Sequence, residues 1–152
     1  MHRFLLAGVL VLGLHASALA EPGGPHNIGP ELPPKLRNLL VQEMNAIAAA
    51  SREIQDALIR GRSETVAEKA QQIHDSFILK QEMTPEDKKA LMQAVPKSFV
   101  KRDKAFHKLT GRLAEAARRD QQERQEKLFS EMVRACTACH ERHAQGRFPG
   151  FQ

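Results

Sequence analysis

The chain has 152 residues, with 23 basic against 18 acidic side chains, a formal net charge of +5, 41% apolar residues and neither tryptophan nor tyrosine. The basic surplus favours acidic partners. It does not point to nucleic acid, because acids and bases are interleaved and base stacking would fall to phenylalanine alone.

The first twenty residues, MHRFLLAGVLVLGLHASALA, have the layout of an export signal. His2 and Arg3 form a short basic flank, Phe4 to Leu14 an apolar run, and Ala18-Leu19-Ala20 the small-x-small pattern before a cleavage site. The run is shorter than the ~20 apolar residues of a membrane span, and none of spanning length follows it. The expectation is a signal peptide over residues 1–20 and a mature chain from Glu21 with no membrane span. That chain keeps 152 − 20 = 132 residues, a single-domain length, and loses one charge, Arg3, to leave +4. A domain of this size buries roughly two-thirds of its unfolded surface and needs no disulfide staples.

Residues 21–34, EPGGPHNIGPELPP, predict an irregular lead-in. The apolar spacing then turns helical. Leu36, Leu40, Met44, Ile47, Ile54 and Leu58 fall on one stripe, with Pro33 and Pro34 at its start and Gly61 at its end. Ser63 is placed to cap a second helix whose inner face carries Val66, Ala70, Ile73 and Phe77. Thr84-Pro85-Glu86-Asp87 reads as a cap, a proline at the first helical position and first-turn acids. Pro96 interrupts that piece, and a longer helix follows with Phe99, Phe106, Leu109, Leu113 and Ala117 on one face. Asp120 and Glu123 have the spacing of a capping box. They would open a last helix over about residues 121–144, with Leu128, Phe129, Met132, Val133 and Cys136 inward. No segment alternates like a strand. The predicted fold class is all-α, an antiparallel four-helix bundle over residues 35–145, followed by a tail at 146–152. Charged runs such as Lys101-Arg102-Asp103-Lys104 predict solvated surface.

Both cysteines lie in ACTACHERHA, residues 135–144, on the last turns of the last helix. Cys136, Cys139 and His140 stand three and four apart there, so all three can share one side. Cys-x-x-Cys-His is the attachment signature of a c-type haem. The thiols join the two vinyl groups of the porphyrin, and the adjacent histidine reaches the iron from one face. A disulfide is the plainer alternative in an oxidising compartment, but it leaves His140 unexplained. A thioredoxin-like site wants the cysteines to start a helix after a strand. Zinc on Cys136, Cys139, His140 and His143 would crowd four ligands into eight residues of one helix. Haem is the favoured reading, and export suits it, since haem c is attached outside the cytoplasm; the expected location is periplasmic.

A four-helix bundle with CTACH near its carboxyl end resembles the class II c-type cytochromes, the cytochrome c-prime group. The likeness covers residues 35–143, with KLRNLLVQEM in the first helix, FVKRDKAFHKLTGRLAEAA in the third and CTACH in the fourth. Of these only CTACH is a specific motif. The resemblance implies one covalent haem c per chain on the C-terminal helix, held by Cys136 and Cys139, with His140 as proximal ligand. Relatives usually carry a basic residue four positions after that histidine, where this chain has Ala144. The tail GRFPGF also goes beyond the family pattern.

In such proteins the first helix supplies the distal position, either a methionine or an apolar residue that leaves the iron open. Six-coordinate relatives usually place the methionine four residues after an arginine. Here Val41 follows Arg37 at four and Met44 at seven. Met44 is the expected ligand, with His74 in the second helix as an outside candidate and Val41 as the residue over an open site. Met132 shares a helix with His140, and Met83 and Met92 fall near helix ends or links. His107 and His143 read as packing or surface groups, and His26 sits in the lead-in.

The expected function is electron transfer in the periplasm, with metal ligands His140 and Met44 and with acidic redox proteins as partners. The alternative is a five-coordinate binder of nitric oxide or carbon monoxide, and a haem-free bundle is a third, weaker reading. No general acid–base pair is assembled beside a cleft, so the chain does not read as an enzyme. Pairing into a homodimer through the first two helices is compatible with the family.

Overall fold

The computed structural model describes residues 24–151, and the expected signal peptide lies outside them. Among the described residues there are helices and no strand. They are α1 (Pro34–Ile59), α2 (Ser63–Asp75), α3 (Leu79–Glu82), α4 (Pro85–Ala94), α5 (Lys97–Arg118) and α6 (Gln122–His143), with 3-10 turns at Gly29–Glu31 and Pro149–Phe151.

Helices α1, α2, α5 and α6 form an antiparallel bundle, as predicted. Glu53 of α1 pairs with Lys69 of α2, and Glu43 meets Ser76 just beyond α2. Gln71 and His74 of α2 meet Arg118 and His107 of α5. Arg112 and Phe99 of α5 meet Glu131 and His143 of α6. In every pair the numbers run in opposite directions. The piece predicted from Thr84 onward is two helices, because Pro96 breaks it, and α3 with α4 forms the crossover from α2 to α5.

Most of the predicted stripes meet in the middle of the bundle, but Val133, expected inward, is 47% exposed and Met44 is 37% exposed, because the loose α1–α6 seam does not cover them. Ile47, Ile54, Val66, Ile73, Leu113 and Met132 are at the bundle centre, with alanines such as Ala57, Ala70 and Ala117 between them. Each fully buried Ile or Leu contributes ~1.5–3 kcal/mol, and the alanines let helix axes approach to roughly 8–10 Å. A second, smaller core joins Ile28, Leu32, Leu36 and Val95. The described part of the lead-in holds one 3-10 turn, and Ile28 and Leu32 pin it to the bundle.

The helix ends show where local reading succeeds. Thr84 caps α4, its hydroxyl accepting from Asp87 N–H while the Asp87 carboxylate accepts from Thr84 N–H. Gly61 ends α1 at φ +66. Arg62 N–H reaches Ala57 O and Gly61 N–H reaches Leu58 O, the paired bonds of a Schellman motif. Two expectations are corrected. Ser63 is the first residue of α2 rather than its cap, and its hydroxyl accepts from Gln125 at 3.1 Å. Asp120 does not cap α6, whose cap position is Gln121. Asp120 instead ends α5 at φ +51, with Gln121 N–H on Ala116 O and Asp120 N–H on Ala117 O. A second Schellman motif thus takes the residue that the capping-box spacing claimed. Phe77 also lies beyond its predicted helix, because Ser76 turns the chain at φ +65, yet it still packs on the core.

Candidate cofactor site

Cys136, Cys139 and His140 occupy the last two turns of α6, and all three are half-buried. Both cysteines are free. Burial pushes the Cys136 thiol up to about 11, with Cys139 adding in the same direction. Burial raises Cys139 as well, while Arg102 opposes and Asp103 adds. Protonated thiols are poor redox nucleophiles. Among the described residues no group of three or more His, Cys, Asp or Glu could hold a metal ion. The zinc reading loses its support. Burial also lowers the His140 pKa, which keeps its imidazole neutral, the form that binds iron. Arg102 and Asp103, predicted as solvated surface, are half-buried and face Cys139.

Between α1 and α6 the bundle leaves a groove. Helix α1 packs closely along α2 but touches α6 only sparingly. At one end Gln122 Nε2 donates to Leu58 O across the gap at 3.4 Å. At the other the lead-in crosses the end of α6, with His26 N–H on Arg142 O at 2.7 Å and Ile28 N–H on His143 O at 3.1 Å. Those bonds satisfy carbonyls that a helix terminus leaves open.

Helical phase fills in the walls. The flank of α1 that carries Leu58 also carries Met44, with Val41 about 60° further round at its outer rim. The flank of α6 that carries Gln122 also carries Val133, Cys136 and His140. From Leu58 back to Met44 is fourteen residues, and from Gln122 on to Cys136 is also fourteen, so by helical rise from that one bond Met44 and Cys136 fall at a similar height along the bundle. These walls are apolar yet uncovered, with Val41 40%, Met44 37% and Val133 47% exposed. A contiguous apolar patch left open to water marks an interaction site. Two thiols, a neutral imidazole and a thioether around an apolar slot fit a flat apolar macrocycle such as haem.

Other candidate residues lie elsewhere. His74 sits between α2 and α5, its Nδ1 2.7 Å from His107 O. It backs onto Gly111, where a Cβ would come within 2.9 Å of that nitrogen. The groove does not bring His74 to His140. Met132 is in the core, Met83 packs on the second core, and Met92 is exposed on α4. His143, read as packing or surface, is buried edge-on against Phe99 at 5.6 Å.

Two residues near the site went unpredicted. Glu43, beside Met44, is fully buried. Its carboxylate accepts from Ser76 Oγ at 2.9 Å and from the N–H groups of Phe77, Ile78 and Leu79 at 3.2, 2.6 and 3.2 Å. The available signal was a carboxylate on an apolar stripe, between Leu40 and Ile47. Phe148 in the tail stacks on His140, and only the presence of two phenylalanines in GRFPGF hinted at an apolar contact.

A helical bundle that carries a c-type haem attachment sequence at the end of its last helix defines a class, the bundled c-type cytochromes. The family model for Cytochrome C' matches residues 36–143, and the chain belongs to that family. Proteins of this family bind haem c covalently and are typically periplasmic. Neither the curated proteins nor the solved structures compared with the chain gave a match. No helix of the described residues is long and apolar enough to cross a membrane. At the position where relatives usually have a base, Ala144 caps α6.

Proposed function

We propose that this haem c protein is a periplasmic electron carrier. Cys136 and Cys139 hold the macrocycle through thioether bonds, and His140 and Met44 are the axial ligands. The observation that supports this reading is a half-exposed thioether, Met44, on the helix that meets α6 only loosely, with a half-buried His140 whose pKa burial lowers. Helical side chains lean toward the N-terminus of their own helix. Because α1 and α6 run in opposite directions, Met44 leans toward the level of Cys139 and His140 leans toward the level of Cys136. Val41 leans past that level and sits at the rim.

Bound haem supplies a one-electron ferric–ferrous couple, and methionine paired with histidine raises its potential. The chain presents both ligands from packed helices, so neither needs to move between oxidation states. Val41 and Val133 keep water from the slot. For a partner, the outer face of α5 offers Lys97, Lys101 and Lys104 around an apolar pocket of Met92, Val95 and Val100. Those lysines form no ion pair among the described residues, which suits an acidic protein.

Optical spectra of the haem-loaded protein, with and without carbon monoxide, test the assignment. The ferrous protein is expected to be low-spin and slow to take carbon monoxide. Met44→Ala should become high-spin and bind it readily. A wild-type ferrous protein that is high-spin and binds carbon monoxide at once would replace this reading with gas binding beside Val41.

A further inference from the structure

The tail folds back onto α6, beyond the span that the family model covers. Gly146 N–H donates to Asn27 Oδ1 at 2.9 Å, tying the tail to the lead-in. Gln145 Nε2 donates to Phe151 O at 3.1 Å, across the 3-10 turn at Pro149–Phe151. The result sets the Phe148 ring on the face of His140, with centroids 4.3 Å apart and planes 14° apart. Phe151 backs Phe148 edge-on at 6.5 Å. Phe148 remains 38% exposed, so burial in the core does not explain its position.

A ligating histidine usually has its ring orientation fixed by a hydrogen bond from its second nitrogen. Among the described residues, no hydrogen bond to the His140 ring does this. The nitrogens of an imidazole act in the plane of the ring, so a phenyl on its face leaves both of them available. Face contact restrains rotation of the ring and keeps water from that side.

We propose that Phe148 is a positioning residue for His140, an aromatic clamp carried by the tail that sets the imidazole plane in place of an orienting hydrogen bond. The inference rests on His140 being an axial ligand. It adds a role for a tail segment outside the family span.

The test uses the haem-loaded protein and its Phe148→Ala, Phe148→Leu and Phe148→Tyr variants, with circular dichroism to verify the bundle. Paramagnetic proton NMR of the haem methyl groups reads the imidazole plane, and spectroelectrochemistry reads the potential. Phe148→Ala should keep its covalent haem but change the spread of the methyl resonances. Water admitted beside His140 should favour the ferric state. The expected ferric-to-ferrous ratio at fixed ambient potential rises three- to tenfold, where tenfold is ~59 mV for one electron. Phe148→Tyr should restore both readouts. Phe148→Leu, apolar but without a stacking face, should restore the potential more than the methyl pattern. An unchanged methyl pattern and potential in Phe148→Ala would overturn the clamp. A wild-type spectrum that survives His140→Ala would instead overturn the axial assignment, whatever Phe148 does.

Discussion

His107 shows how neighbours decide the state of a single side chain. Burial alone would lower its pKa, but Asp103, the Ile73 carbonyl and the Glu43 charge together hold it above the ordinary value. The geometry accounts for this. Nδ1 lies 2.7 Å from Ile73 O and Nε2 lies 3.5 Å from Asp103 Oδ1, so both nitrogens face acceptors and the doubly protonated ring is favoured. A raised pKa means that the folded chain keeps a proton the unfolded chain releases. The stabilisation is complete below the unfolded value of ~6.5 and is lost as pH rises through the higher folded value. Melting temperature should therefore fall across that window, and Asp103→Asn should flatten the fall. An Asp103→Asn melting profile as steep as wild type would show that this contact does not drive the shift.

At the scale of elements, α1 is held in place by Glu43 as well as by its apolar stripe. One carboxylate collects the hydroxyl of Ser76 and three backbone N–H groups of the turn that leaves α2. Removing it strands buried donors, each worth ~1–3 kcal/mol when unpaired. Glu43→Ala should cost at least ~3 kcal/mol in urea unfolding, and Glu43→Gln less, since an amide oxygen still accepts. The link between α5 and α6 offers the opposite case. Asp120 holds φ +51 at the end of α5, a conformation that costs a residue with a Cβ ~1–2 kcal/mol and glycine little. Asp120→Gly should stabilise the fold by about 1 kcal/mol, read as a higher urea midpoint at unchanged slope.

At the scale of the molecule, the bundle is closed along three of its four seams and parted along the fourth, between α1 and α6. By helical phase Cys136 and His140 lie on the α6 flank of that seam, and Val41, Met44 and Val133 are uncovered. Covalent haem should persist through denaturing electrophoresis and be absent from Cys136→Ser/Cys139→Ser. The double variant should keep its helical circular dichroism, melt at a lower temperature and bind an apolar dye in the open groove. A variant as stable as wild type and without dye binding would mean that α1 and α6 close on each other unaided.

The sequence by itself determined the four long helices, most of their inner faces and the attachment motif. Apolar period, caps such as Thr84 and terminators such as Gly61 act within a few residues of themselves, so they can be read locally. CTACH is legible for the same reason, since its chemistry needs its residues adjacent. What lay across the molecule was not legible. Glu43 serves a turn more than thirty residues away, Asp120 belongs to the helix before it, and His74 is taken up by α5. Only the tertiary structure decided that α1 and α6 meet loosely and that the tail returns to His140. Such contacts depend on the register between antiparallel helices and on where chain ends fold back, and no local spacing encodes either.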